Sequence, residues 1–149
     1  MYNRDTPAGR LQLGLALTLT LMLSGRAMTL AFLGEVGAAT PGAPPLAWLM
    51  PLVGDAFIGV AALPVAFLLW RGRGLAAWTA IVVWNVLGIW DALSAFLVHL
   101  TTPWPEFFMV QIFGASMFFA ASAMHAVLVF LVAGPLRMRF RDGGSILAG

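Results

Sequence analysis

Asp55, Asp91 and Arg26 are ionisable residues inside stretches that otherwise read as lipid-soluble, and Asn85 shares the run Trp84-Asn85-Val86-Leu87-Gly88-Ile89-Trp90-Asp91 with the second carboxylate. Groups of this kind in hydrocarbon pair with one another, take up a proton or hold a ligand, because an isolated charge there is too costly to leave unmet. One Arg between two Asp leaves a cluster one charge short of neutral, and a proton or a bound cation can supply the difference. The plainer reading is a packing role, since polar contacts between helices fix their register.

Depth decides which groups can meet. Arg26 lies seven residues before the expected end of its span at Leu33, so it sits roughly 10 Å below that surface. Asp55 is nine residues from the start of its span at Leu46 and Asp91 nine from the end of its own at Leu100, so both lie roughly 13 Å deep. Arg26, Asp55, Asn85 and Asp91 are therefore the candidate polar cluster. Arg26 is expected either to snorkel to the interface or to face protein. Trp84, Gln111 and His125 are secondary candidates. Trp84 is deep enough to line a pocket, and Gln111, Gly114, Phe118, Ser122 and His125 fall on one face of the last span.

His99 reads as an interface residue, whereas His125 comes eighteen residues into a helix running the other way. The two are thus about 25 Å apart along the membrane normal and cannot share a haem. With no Cys in the chain, there is no thiolate nucleophile, c-type haem attachment or iron–sulfur cluster. Two Asp and an Asn are hard oxygen donors without the His cluster that transition metals prefer. No metal and no cofactor is expected.

The elements that must position these groups follow from composition. The 149 residues are 61% hydrophobic and only 9% charged, with a mean hydropathy of +0.93, against about a quarter charged residues in soluble domains. The expected fold is all-α: a polytopic membrane protein of four transmembrane helices in an antiparallel bundle, over residues 11–33, 46–70, 75–100 and 107–132, forming one domain. A basic tail covers residues 133–149. Residues 34–45, dense in Pro and Gly, form the one long connection. Pro51 or Pro64 is expected to kink the second helix. Trp48, Pro51, Asp55, Gly59 and Ala62 share a stripe of that helix, as do Trp84, Gly88, Asp91 and Ala95 of the third, and both stripes should face protein. Trp104 is placed to anchor at the interface.

Seven of the eight Arg lie in the two tails and in the Arg71-Gly72-Arg73-Gly74 turn, and none in the other two connections. The positive-inside rule then puts both termini in the cytoplasm. A rival reading makes Met1 to Ala27 a signal peptide, with Gly25-Arg26-Ala27 as a poor cleavage site. The basic balance reports topology, not nucleic-acid binding.

Gly54-Asp55 followed by Gly59, then Trp84-Asn85-x-x-Gly88-x-x-Asp91, resembles a group of small uncharacterised four-helix bacterial inner-membrane proteins that also carry a His late in the last helix. His125 is in that region, without the Pro that precedes the family's final His. The resemblance covers about half the chain; it implies a fold and a compartment, the bacterial inner membrane, and no activity. The function expected is that of a small binding or accessory membrane protein, with the polar site holding a lipid-like or small polar ligand or docking a homo-oligomer or partner membrane protein. A membrane enzyme with paired Asp acid/base chemistry on an isoprenoid or lipid-like substrate is one alternative. A small oligomeric proton- or cation-coupled carrier is the other.

Overall fold

The structure, a computed structural model, describes residues 6–141. Arg4 and the last eight residues of the basic tail lie outside the described residues. Among the described residues four helical stretches are long and apolar enough to cross a membrane: Pro7–Glu35, Leu46–Arg71, Gly74–Thr101 and Ser116–Ala133. This is a multi-pass membrane protein, and among the described residues it has no β-strand.

α1 (Pro7–Leu23) starts where Thr6 caps the Gly9 amide through Oγ1 at 3.1 Å and Pro sits in the first turn, where no amide partner is needed. It does not run on as one α-helix to Leu33. Ser24 turns its hydroxyl back onto the Leu21 carbonyl at 2.6 Å, and residues Ser24–Glu35 continue as a 3-10 helix. Side chains three apart eclipse in that geometry, so Arg26, Thr29 and Phe32 form one row. Thr29 is buried and its hydroxyl bridges the Arg26 carbonyl (2.9 Å) and the Leu52 carbonyl (3.1 Å), which fastens the row to the next span.

A short 3-10 turn, Leu46–Trp48, leads into α2 (Leu49–Arg71). Pro51 falls in the first turn of α2, a position that has no helical hydrogen bond to lose, and the helix runs unbroken through Pro64 to Arg71. α3 (Gly74–Thr101) is a single helix. The last expected span is not: α4 (Phe108–Phe113) and α5 (Ser116–Ala133) are separated at Gly114, whose φ of 58° and ψ of −156° lie in a region that is essentially glycine's alone. The start of the basic tail folds back as α6 (Arg137–Arg141), burying Leu136 and Phe140.

Two buried clusters hold the bundle. One joins Leu23, Ile58, Leu69, Ile81, Trp84, Leu128 and their neighbours. The other is aromatic and lies where the 36–45 and 102–107 connections meet: Trp48 Nε1 donates to the Thr102 carbonyl at 2.8 Å and Trp104 Nε1 to the Gly42 carbonyl at 3.0 Å. Trp104 stacks on Phe107 at 4.9 Å and is buried rather than set at an interface. Phe57, Val60, Leu63 and Phe67 on α2 and Trp90, Leu97 and Leu100 on α3 stay exposed. A bilayer would cover such faces, while small residues lie inside.

Candidate functional site

The 3-10 row presents Arg26 to the faces of α2 and α3 that carry the carboxylates. Arg26 Nε donates to Asp55 Oδ1 at 2.5 Å, and its Nη2 donates to Asp91 Oδ2. The same guanidinium turns Nη1 toward His125 Nε2 at 3.1 Å and approaches the Gly88 carbonyl at 3.5 Å. One side chain thus ties its own span to the other three. Arg26 does not snorkel, because its planar fork finds two acceptors at its own depth.

Steric room for this junction comes from the glycines beside the acids. A Cβ on Gly54 would overlap the Asp91 carboxylate, and one on Gly88 the His125 ring. A Cβ on Gly59 would strike the backbone at Arg26 and Ala27, so α2 and the 3-10 segment meet backbone to backbone.

The break at Gly114 changes the place of His125. Counted from Phe107 this residue would lie twice as deep as Asp55. Counted from the observed start of α5 at Ser116 it lies nine residues in, the same number that separates Asp55 from Leu46. His125 therefore reaches Arg26. Since Nε2 faces an N–H of a guanidinium that can only donate, it accepts, and the ring proton sits on Nδ1. That proton goes to Asn85 Oδ1 at 2.9 Å, and Asn85 Nδ2 donates to the Ile81 carbonyl at 2.8 Å. Asn85 thus belongs to the site through His125 and meets neither carboxylate. Trp84 supports the ring edge to face at 5.0 Å while its Nε1 donates to the Ile58 carbonyl at 3.2 Å.

Gln111 does not join these groups. It sits exposed on α4, which the turn at Gly114 separates from the face that carries His125. His99 packs against Trp48 and Phe118 in the aromatic cluster. Among the described residues no group of three His, Asp or Glu is arranged to hold a metal ion.

Asn85 and His125 are both fully buried, so Asn85→Leu would leave the Nδ1 proton without an acceptor. A loss of about 1–3 kcal/mol is expected, read as a lower unfolding midpoint in detergent by tryptophan fluorescence. An unchanged midpoint would mean that the ring finds another acceptor.

Beside the cluster lies a cavity of about 400 Å³. Its polar end is Arg26 and Asp55, and its apolar wall includes five of the eight Met, namely Met22, Met28, Met109, Met117 and Met124. The cavity exists because no Cα of the 3-10 segment comes within 8 Å of α4 or α5. α1 packs on α5 further along the same span, but beside the 3-10 segment the backbones stay apart and leave a gap that the Arg26–His125 contact crosses. The sequence reading missed this wall: the methionines come from three separate stretches, and their convergence depends on the Gly114 turn.

The arrangement can hold an amphiphile, with apolar surface on the thioethers and a polar group at the Arg26 and Asp55 end. No protein-family model, curated protein or solved structure matches this chain.

Proposed function

We propose that this chain is a four-span bacterial inner-membrane protein, antiparallel in its packing with both termini cytoplasmic, that binds an amphiphilic ligand in the methionine-walled cavity next to Arg26 and Asp55. The Arg distribution supports this orientation, in which the ion-paired cluster lies toward the outer face. The observation that carries the binding reading is the cavity itself, whose size falls in the usual range for small-molecule sites and whose charged lining, among the described residues, is Arg26 and Asp55.

The gap between the 3-10 segment and α5 gives an amphiphile a route from the bilayer. Methionine is flexible and polarisable, so such a wall adapts to varied apolar shapes. A binding or accessory role suits the geometry better than acid/base catalysis. Asp55 and Asp91 are tied to the same guanidinium, whereas catalysis by two carboxylates relies on environments that push them apart.

Native mass spectrometry from a mild detergent tests this reading. The wild type is expected to carry a small-molecule adduct from its own membrane. Ala121→Phe, which fills the cavity while leaving the ion pairs in place, is expected to lose it. A wild type without any adduct, or an adduct unchanged in Ala121→Phe, would overturn the assignment.

A further inference from the structure

The cavity's charge balance goes further than the binding of an unspecified amphiphile. The inference rests on the binding reading above and names the ligand's chemistry. Arg26 contributes one positive charge and Asp55 and Asp91 two negative ones. His125, held as an acceptor by Arg26 and as a donor by Asn85, contributes none. Glu35 and Glu106 lie in the region of the 36–45 and 102–107 connections, so among the described residues no further charged group completes the junction. The cluster is formally one positive charge short, in surroundings where an unmatched charge is expensive.

Position decides where the missing charge can enter. Asp55 lines the cavity and Asp91 does not. Asp55 meets Arg26 through Oδ1 alone, while Arg26 spends nitrogens on Asp55, Asp91 and His125. Arg26 and Asp55 both line the cavity; because the guanidinium nitrogens are already engaged, the group left to meet a ligand there is the Asp55 carboxylate, with an apolar, thioether-rich wall around it. We infer that the cavity takes a lipophilic cation, whose charge meets Asp55 and whose apolar body lies among Met22, Met28, Met117 and Met124.

A proton is the other species that can meet the same charge, so the two compete. Asp55 is faced by Arg26 from the 3-10 segment and by Asp91 from α3, with His125 of α5 behind Arg26. Binding then releases a proton: the cation enters, the carboxyl O–H bond breaks, and the proton leaves to solvent. Linkage fixes the sign, since whatever binds protons in the empty protein weakens as cation rises, and the reverse. Affinity for the cation grows with rising pH, about tenfold per unit while the proton competes, and levels off once the proton is gone.

Equilibrium dialysis of the purified full chain in detergent, with tetraphenylphosphonium against its charge-inverted isostere tetraphenylborate, tests this. The expected result is binding of the cation only, pH-dependent as stated, with acidification of a weakly buffered sample on saturation. Asp55→Asn is expected to weaken the cation at least tenfold, and Ala121→Phe to abolish binding with the ion pairs intact, so the test survives an Asp55→Asn variant that does not fold. Equal binding of both isosteres, or cation binding independent of pH, overturns the charge assignment while leaving an amphiphile site in place. No binding of either ion, alongside a native adduct sensitive to Ala121→Phe, also overturns the cation inference alone. If that adduct is missing too, both readings fall together.

Discussion

Arg26→Met is expected to cost about 3–5 kcal/mol, the usual penalty for removing one partner of a buried ion pair. Against a total stability of about 5–15 kcal/mol, that is enough to deplete the folded protein in the membrane. The size of the effect follows from what remains. Without the guanidinium, Asp55 and Asp91 face each other across the α2 and α3 contact with no cation, and His125 Nε2 loses its donor. Methionine fills much of the same volume, so lost packing is a small part of the change. Arg26→Met combined with Asp55→Asn and Asp91→Asn should recover most of the loss, because replacing a whole buried charge network is often near neutral. Denaturant titration in mixed micelles measures both variants. A single variant as stable as the wild type would show that the junction does not hold the bundle together, and a triple variant no better than the single would place the loss in packing.

The same junction shows which parts of the site could be read from sequence. Arg26, Asp55 and Asp91 could be brought to one level because their depth needs only a rise per residue and a span end, and the Pro- and Gly-rich 34–45 connection marks two of those ends. The stripes of α2 and α3 were legible for a similar reason: α-helical periodicity holds without interruption from Leu49 to Arg71 and from Gly74 to Thr101.

Two departures from that periodicity were not legible. The 3-10 segment opens on Ser24-Gly25, a pair that can end or bend a helix, but its 3-10 geometry follows from the row Arg26, Thr29 and Phe32 finding partners on α2 and in the aromatic cluster. The Ser-Gly pair marks where the α-helix ends, while tertiary contacts select the 3-10 form that follows. Gly114 looked like one more small residue on a helix face. Its positive φ ends α4 and restarts the span at Ser116, which lifts His125 to the level of Arg26. A signal was available in Gly114-Ala115-Ser116, since Ser116 Oγ closes on the Phe113 carbonyl at 2.5 Å in the manner of turn serines. Gly-x-Ser is too common in membrane helices to be decisive on its own.

Gly59→Ala should be among the most damaging small substitutions in the chain, although it adds only one methyl group. In most helix interiors this change is favourable, since alanine loses less backbone freedom on folding than glycine. Here the added Cβ would come within 2.7 Å of the Ala27 Cα, and no rotamer can relieve a clash with backbone. The 3-10 segment must move away from α2, and it carries Arg26 with it. Thr29 then leaves the Leu52 carbonyl, and the Asp55 and Asp91 contacts lengthen together. Overpacking alone costs about 1–3 kcal/mol, and the strained ion pairs bring the expected loss to about 3 kcal/mol or more. Gly14→Ala is the matched control: nothing lies within 4 Å of the position, so a gain of about 0.4–1 kcal/mol is expected there. The pair separates two accounts of the cluster. If Gly59→Ala lowers the unfolding midpoint and also weakens tetraphenylphosphonium binding under conditions where the variant is still folded, the backbone approach is what sets Arg26 against the acids. If it lowers stability with cation affinity unchanged, the junction re-forms around a shifted segment, and Asp55 keeps its charge without that approach.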